Sequence, residues 1–219
     1  MAISSERAQK LLNRSYSPHP GQKKSHSARD HRFRVMSNGR RWGKDYAAFR
    51  EALVVGLNNS KSYIPVILPT SESARGIFNM ASAKIPTPFY GGPDGLKQTR
   101  KEIELVNGST ISFYSAESQN SFRGLGHNVV MLIIDEAAYV DKGVWTEIRP
   151  TLADNKAPVV FISTPHENTP RNWFYDLFLR GQKYIDRTCP VCDGEGCDNC
   201  NGSGSVQEEN PDYDERYWS

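Results

Sequence analysis

The segment that most constrains this chain is the loop at residues 38–45, which reads Asn-Gly-Arg-Arg-Trp-Gly-Lys-Asp. It lies between a short apolar-alternating run at residues 33–36 and a helix-like stretch at residues 46–57. A loop of this kind binds phosphate, because backbone N–H groups surround the oxygens and the following helix N-terminus adds a positive dipole. The pattern therefore predicts a phosphate-binding loop in which Lys44 contacts the β and γ oxygens of a nucleotide.

Both ends of the loop depart from the consensus G-x-x-x-x-G-K-[ST], with Asn38 replacing Gly and Asp45 replacing Ser or Thr. Asn tolerates unusual backbone angles better than most residues. The Asp45 carboxylate is a hard oxygen ligand and could still hold Mg²⁺, although it adds a negative charge near the phosphates. The sequence leaves three outcomes open: weakened activity, an altered metal preference or inactivity.

Further apolar runs and helical patterns alternate downstream of this loop. The Asn-Gly pair at residues 107–108 predicts a hairpin between strands at 102–106 and 110–114. Strands alternating with helices predict an α/β fold with a mainly parallel central sheet flanked by helices, that of an ASCE-type P-loop NTPase. The predicted buried strands are 62–68, 129–134 and 158–162, and the predicted helices are 71–83, 144–152 and 171–180.

A second candidate element is the Asp135-Glu136 pair, which ends the most apolar strand of the chain. After a phosphate-binding loop, such a pair suits nucleotide hydrolysis: Asp135 would hold Mg²⁺ and Glu136 would orient and deprotonate the attacking water. The alternative is that the pair only ends the strand and caps the next turn. The order of the two motifs favours the catalytic interpretation.

Charge is distributed unevenly along the 219 residues, although the net charge is only +2. Residues 1–50 carry +9, and residues 189–219 carry −7. The basic end could track a phosphate backbone or form a solvated arm, and the sequence does not decide between them. No apolar run approaches the roughly 20 residues that span a bilayer, and no secretory signal is visible, so we expect a cytosolic protein without a membrane partner.

Four cysteines form two tandem copies of C-x-x-C-x-G-x-G, at Cys189/Cys192 and Cys197/Cys200. Paired C-x-x-C motifs supply four thiolates for tetrahedral Zn²⁺, and a site with no open position is structural. The repeat resembles the cysteine-rich region of J-domain chaperones, with a shorter gap. A redox pair or a loop with free thiols are the alternatives, and the local acidity argues against direct phosphate binding.

Together the motifs resemble the ATPase domain of bacteriophage large terminase subunits, the motors that package DNA into a preformed capsid. The resemblance covers about residues 18–183. It rests on Gln22 upstream of the loop, on the arginines within the loop, on Ser-Phe-Arg-Gly-Leu at 121–125, and on Phe-Ile-Ser-Thr-Pro at 161–165.

The resemblance implies roles by position. Gln22 would sense adenine, Ser163 and Thr164 would respond to the γ-phosphate, and either Arg40 or Arg123 would stabilise the transferring phosphoryl group. Arg123 would act on the nucleotide of a neighbouring subunit, with a surface salt bridge as the alternative. The predicted catalytic residues are Glu136, Arg40 and Arg123. The predicted nucleotide-binding residues are Gln22, Asn38, Gly39, Arg40, Arg41, Trp42, Gly43, Lys44, Asp45, Ser163 and Thr164. The predicted Mg²⁺ ligands are Asp45 and Asp135, and the predicted Zn²⁺ ligands are Cys189, Cys192, Cys197 and Cys200.

We therefore expect a basic segment at 1–31, an ATPase domain at 32–187, a zinc knuckle at 188–206 and an acidic tail at 207–219 that begins a truncated or continuing region. The resemblance implies hydrolysis of ATP with Mg²⁺, coupled to translocation of double-stranded DNA. Its implied partners are a portal protein, a small terminase subunit and further copies in a ring, in the host cytoplasm and at the procapsid portal. The chain ends before the nuclease domain of such proteins, so DNA cleavage is not expected. A non-hydrolysing adaptor and a helicase-like translocase are the alternative functions.

Overall fold

The computed structural model describes residues 16–117, 128–165 and 172–219. Its helices are α1 (Pro20–Ser27), α2 (Lys44–Asn58), α3 (Ser71–Lys84), α4 (Lys142–Ile148) and α5 (Trp173–Arg180). Its strands are β1 (Phe33–Ser37), β2 (Tyr63–Leu68), β3 (Leu96–Lys97), β4 (Glu102–Glu104), β5 (Thr110–Ser115), β6 (Leu132–Asp135), β7 (Val159–Ser163), β8 (Tyr184–Thr188), β9 (Ser205–Glu209) and β10 (Tyr217–Trp218). Short 3₁₀ turns lie at Thr87–Phe89, Ala137–Tyr139, Arg149–Leu152 and Asp198–Cys200.

Eight strands form one central sheet in the order β10-β1-β7-β6-β2-β5-β4-β3. The strands from β10 to β5 are parallel to their neighbours, and β4 and β3 add an antiparallel edge. The predicted α/β fold with a mainly parallel sheet is confirmed, as is the hairpin, now β4–β5. The strand predicted at 129–134 is shifted: β6 begins at Leu132, and Val129 makes only an isolated bridge to Tyr63.

The central strands are apolar because both faces of the sheet are covered. Every residue of β6 and β7 is buried. On one face the core lies beneath α2 and α3 and includes Met36, Phe49 and Phe78. On the other it lies beneath α4 and α5 and includes Val35, Trp145 and Phe174. Within the described ranges, none of the helices has the length and apolar character that a bilayer crossing requires.

The end of the chain returns to the central sheet. Tyr217 and Trp218, in the segment predicted as an acidic tail, form β10 and pair in parallel with Phe33 and Arg34 of β1. The rings of Phe33 and Tyr217 stack, with centroids 4.7 Å apart and planes 28° apart. This edge strand therefore extends the sheet on the side of β1.

The antiparallel pair β8–β9 forms a separate hairpin that carries the four cysteines between its strands. We call residues 184–209 the knuckle arm. Asn210 fixes the base of the arm, because its side-chain amide donates to the carbonyls of Leu179 (2.6 Å) and Gln182 (2.8 Å). The arm is thus anchored between α5 and β10.

A buried ion pair joins β1 to α2. Both guanidinium NH₂ groups of Arg34 donate to the Glu51 carboxylate, and the two side chains are 1% and 5% exposed. His26 Nδ1 of α1 lies 3.2 Å from Glu51 Oε2. Burial alone would raise the pKa of Glu51, but the hydrogen bonds of His26 and Arg34 and the Arg34 charge lower it to about 2. Three elements around the loop therefore share one buried charge network.

We expect Glu51→Gln to lower the free energy of unfolding by about 3–5 kcal/mol, because it leaves the Arg34 charge buried and uncompensated. Urea unfolding at neutral pH measures this loss. The exposed pair of Glu104 with Lys97, 2.9 Å apart, provides the control, and Glu104→Gln should cost less than about 1 kcal/mol.

The same ion pair makes the stability of the fold depend on pH in the acidic range. Since the pKa of Glu51 is lowered from 4.5 to about 2 on folding, its stabilising contribution is present above pH 4.5 and is lost as pH falls towards 2. The Glu51→Gln protein should lack this part of the acid sensitivity. Equal stability of the two proteins at neutral pH would contradict this account of the pair.

Candidate functional site

The predicted phosphate-binding loop connects β1 to α2 at the carboxyl edge of the parallel sheet. The backbone N–H of Asn38 donates to the Ser163 carbonyl at 3.1 Å, which joins the start of the loop to the end of β7. Positive φ angles occur at Arg41 (64°) and Gly43 (81°), and Asn38 is not among the positive-φ residues. The unusual backbone angles that Asn38 could tolerate therefore occur at Arg41 and Gly43 instead.

Gly43 is required at its position for two reasons. Gly43 directly precedes α2 and has a left-handed backbone conformation, which residues with a side chain rarely adopt. In addition, a Cβ at this position would lie 2.9 Å from Gln22 Nε2. The loop therefore passes the start of α2 with no room for a side chain.

Lys44, the first residue of α2, lies at the centre of the site and is 6% exposed. Its Nζ lies 3.1 Å from Glu136 Oε1 and 3.7 Å from Asp45 Oδ1, and it donates to Thr164 Oγ1 at 3.2 Å. Burial would lower the pKa of Lys44, but the neighbouring carboxylates of Asp45 and Glu136 raise it above its usual value. The ammonium group therefore stays charged where a phosphate would need it.

Glu136 is held by the ends of two adjacent strands. It follows β6 with φ 46° and ψ 47°, a left-handed conformation that is uncommon for a residue with a side chain. Its Oε2 accepts hydrogen bonds from Ser163 Oγ (3.2 Å) and from the Thr164 N–H (3.1 Å). The strained turn places the carboxylate beside Lys44 and the end of β7, so the strain coincides with the candidate catalytic group.

Two further carboxylates lie beside Lys44. Asp135 is 3% exposed, and its burial together with the charges of Asp45 and Glu136 raises its pKa to about 8. Burial also raises the pKa of Asp45, whose buried Oδ1 has no hydrogen-bond partner. Both carboxyl groups line one small cavity beneath α2. Two neighbouring carboxyl groups, one of which has an oxygen that makes no hydrogen bond, fit a hard divalent cation such as Mg²⁺.

The predicted adenine-sensing residue, Gln22, is buried against the loop. Its Nε2 donates to the Gly43 carbonyl and its Oε1 accepts from the His19 N–H, both at 3.1 Å. His19 itself caps α1 and lies 3.0 Å from the Trp42 carbonyl through Nε2. Sequence reasoning missed His19, because histidine is an unusual N-cap and no motif points to it.

The structure describes only one of the two arginines predicted to act on the γ-phosphate. Arg40 and Arg41 are exposed on the loop, and neither forms an ion pair with any residue in the described ranges. Arg123 lies outside the described residues. The assignment of a finger residue stays a prediction.

The four cysteines of the knuckle arm converge, with their sulfur atoms all within 4.8 Å of one another. Three of the Sγ···Sγ distances are 3.9 Å for Cys189–Cys197, 3.7 Å for Cys192–Cys200 and 3.9 Å for Cys197–Cys200. Four sulfurs at about 2.3 Å from a tetrahedral Zn²⁺ would be about 3.8 Å apart. The thiol set therefore has the dimensions of a zinc site.

Backbone N–H groups point at the sulfurs of this cluster. Cys200 Sγ accepts from the N–H groups of Cys197 and Gly204, each at 3.3 Å, and these bonds help lower its pKa to about 6. Gly204 has φ 71°, and a Cβ there would lie 2.2 Å from the Gly194 carbonyl oxygen. The glycines of the two repeats thus permit the turns that support thiolates.

Comparison with known proteins identifies relatives of this chain. Residues 35–182 match the family described as terminase large subunit, T4-like virus type, N-terminal. The chain is 30% identical over 164 residues to the terminase large subunit of Escherichia phage T5, covering 73% of this chain and 35% of that protein. It is 32% identical over 184 residues to that of Thermus phage G20c, covering 76% of this chain and 37% of that protein. The chain thus spans about a third of the length of the curated relatives it matches.

Solved structures share the fold. The large terminase ATPase domain of Thermus phage P74-26 superposes with a TM-score of 0.69 at 24% identity, covering 100% of this chain and 85% of that one. The large terminase of bacteriophage HK97 gives a TM-score of 0.61 at 17% identity, covering 78% of this chain and 40% of that one. The order of strands and helices found here is therefore that of known terminase structures.

We expect Gly43→Ala to lower the free energy of unfolding by about 1–2 kcal/mol, because a side chain is strained at φ 81° and would contact Gln22. Gly39→Ala is the matched control in the same loop. Position 39 lacks a positive φ, and a Cβ there meets no atom within 4 Å. Urea unfolding compares the two variants, and equal losses would contradict the role given to Gly43.

Proposed function

This chain belongs to the family of terminase large subunits, and we propose that it is an ATP-hydrolysing motor domain that couples hydrolysis to the translocation of double-stranded DNA into a procapsid. The observation that carries the proposal is the meeting of Lys44 and Glu136, 3.1 Å apart, at the carboxyl ends of β1, β6 and β7. Ligands bind at this edge in parallel α/β sheets. A phosphate-binding lysine and a candidate base thus share one small space there.

Hydrolysis in this proposal begins with an exchange of partners at Lys44. The β and γ phosphates would take the ammonium group from Glu136, since a phosphate carries more negative charge than a carboxylate. Glu136 Oε1 would then be free to accept a proton from water, while Ser163 and Thr164 keep Oε2 in place. Loss of the γ-phosphate would restore the pair with Lys44, so these two residues at the end of β7 would register the change.

Mg²⁺ and adenine complete the proposed nucleotide site. Asp45 and Asp135 would hold Mg²⁺, which neutralises phosphate charge when bound. Gln22 would contact adenine, and the backbone between Asn38 and Gly43, including Gly39, Arg41 and Trp42, would surround the phosphates. Either Arg40, from within the chain, or Arg123, from a neighbouring copy, would stabilise the transferring phosphoryl group.

The partners of the motor follow from its family. We propose that the chain acts on double-stranded DNA in the host cytoplasm together with a portal protein, a small terminase subunit and further copies in a ring. The chain spans about a third of the length of its curated relatives, so the partners of the whole protein are proposed for it and not shown.

The knuckle arm would hold one structural Zn²⁺ through its four cysteines. The sulfur separations and the N–H groups directed at them support this assignment. All four positions of a tetrahedral ion would be filled by protein, which leaves none for a substrate.

Metal-dependent ATP hydrolysis by the purified chain tests the motor proposal. We expect Lys44→Ala to abolish nucleotide binding, and Glu136→Gln to lower turnover by about 10²–10⁴-fold while nucleotide binding persists. Steady-state turnover and fluorescent-nucleotide titration measure the two effects. Glu147→Gln, which changes an exposed glutamate of α4, is the control.

Unchanged turnover in the Glu136→Gln protein would contradict its role as base. The Asp45→Thr variant, which restores the consensus hydroxyl, separates the motor from a non-hydrolysing adaptor. If neither the chain nor this variant binds or hydrolyses ATP, the motor proposal is wrong.

Removal of zinc should unfold the knuckle arm and spare the central sheet, because only the arm depends on the four thiolates. Amide hydrogen exchange with and without a chelator should show lost protection at residues 184–209 and retained protection in β6 and β7. Cys200→Ser should reproduce the effect and Gln207→Ala, which changes an exposed side chain of β9, should not, with one Zn²⁺ per chain in the parent protein. Unchanged protection of the arm after chelation would contradict a zinc site.

A further inference from the structure

A wide concavity lies away from the predicted phosphate-binding loop, on the face of the sheet covered by α4 and α5. It has a volume of about 640 Å³, and Phe33, Trp145 and Tyr217 form part of its lining. We call it the basic cleft, because six basic side chains line it against the single carboxylate of Asp176. These are Arg32, Lys142, Arg149, Lys156, Arg180 and Arg216.

Most of this positive charge is uncompensated. Within the described ranges, Arg216 alone of the six forms an ion pair, with Asp214 at 2.6 Å. Lys142, Arg149 and Lys156 are exposed at the rim. The aromatic rings are almost fully buried, and the guanidinium groups of Arg32 and Arg180 lie over two of them, so the accessible surface of the cleft is mainly positive and suits an acidic partner.

The knuckle arm presents the complementary surface. It carries six acidic side chains against one basic side chain, a net charge of −5, and the basic residue, Arg187, pairs with Glu208. Val191, between two cysteines, is 68% exposed. Four thiolates also outweigh the charge of a bound Zn²⁺, so zinc makes the arm more negative.

We propose that the basic cleft binds the knuckle arm of a second copy of this chain. No residue of the arm lines the cleft of its own copy, and the arm is anchored at its base by Asn210. The cleft and the arm are different surfaces of each copy, so the contact between them is head-to-tail. Such a contact repeats from one copy to the next until the assembly closes. Glu195 and Asp198 of the arm would face the basic side chains at the rim.

DNA is the less suitable occupant of this cleft. The arm begins four residues after Arg180 of the cleft, so a phosphate backbone entering there would meet an acidic surface. The arm of a second copy brings the charge opposite to that of the basic side chains of the cleft. The experiment below therefore also measures binding of a DNA duplex to the cleft.

Charge reversal on each surface tests the contact in the zinc-loaded full chain. The cleft variant carries Lys142→Glu and Arg149→Glu, and the arm variant carries Glu195→Lys and Asp198→Lys. A control with the same net charge as the cleft variant carries Arg75→Glu and Arg100→Glu, both exposed and outside the cleft. Sedimentation velocity over a concentration series at low and high salt measures self-association.

We expect the parent chain to self-associate in a salt-sensitive way, and each reversed variant to weaken association by about tenfold or more. The control should associate like the parent. An equimolar mixture of the two reversed variants should associate again, because each then offers the surface that matches the other. The two reversed variants also carry opposite net charges, so the arm variant mixed with the Arg75→Glu/Arg100→Glu control, which has the net charge of the cleft variant, shows how much association net charge alone causes.

Several results would overturn the proposal. A parent chain that stays monomeric at every concentration would do so, as would reversed variants that associate normally or a mixture that does not recover. A cleft variant that loses affinity for a short DNA duplex but still self-associates would assign the cleft to DNA instead. The Glu136→Gln protein should associate like the parent, so a failure of the ATPase proposal and a failure of this one give different results.

Discussion

The buried pair of Arg34 and Glu51 is the interaction on which the phosphate site depends. One partner lies on the strand before the loop and the other lies two turns into the helix after it, so the pair fixes both sides of the loop. Burying two charges is costly, and it is tolerated only when the geometry satisfies both groups. Here His26 of α1 adds a third element, which also places Gln22 against Gly43. The sharp turn at Gly43 is thus supported from the strand, from its own helix and from the preceding helix.

The charges at the end of the sheet favour a cation at the proposed nucleotide site. Three carboxyl groups, those of Asp45, Asp135 and Glu136, surround the single ammonium group of Lys44. Their mutual repulsion and burial favour protonation, as the raised pKa of Asp135 shows. A divalent metal would stabilise the ionised carboxylates of Asp45 and Asp135. Replacing the consensus hydroxyl by Asp45 therefore strengthens the demand for metal at this site and adds repulsion towards the phosphates.

Much of this architecture could be predicted from the sequence because it follows from local patterns. The loop, the apolar strand before Asp135-Glu136 and the Asn-Gly hairpin are short-range signals, and parallel strands bring their carboxyl ends to one edge. The return of Tyr217 and Trp218 to the sheet could not be predicted, because two residues carry no periodicity and their partner lies far away in the chain. The left-handed turn at Glu136 and the cap formed by His19 were also missed, since both are set by tertiary contacts.

The position of β10 joins the knuckle arm to the central sheet. The chain leaves α5, forms the arm and re-enters the sheet as β10, and both flanking elements pack against β1. Asn210 bonds to the end of α5, so the two ends of the arm are held together. The arm is therefore joined at both ends to elements that pack against β1, the strand that leads into the predicted phosphate-binding loop.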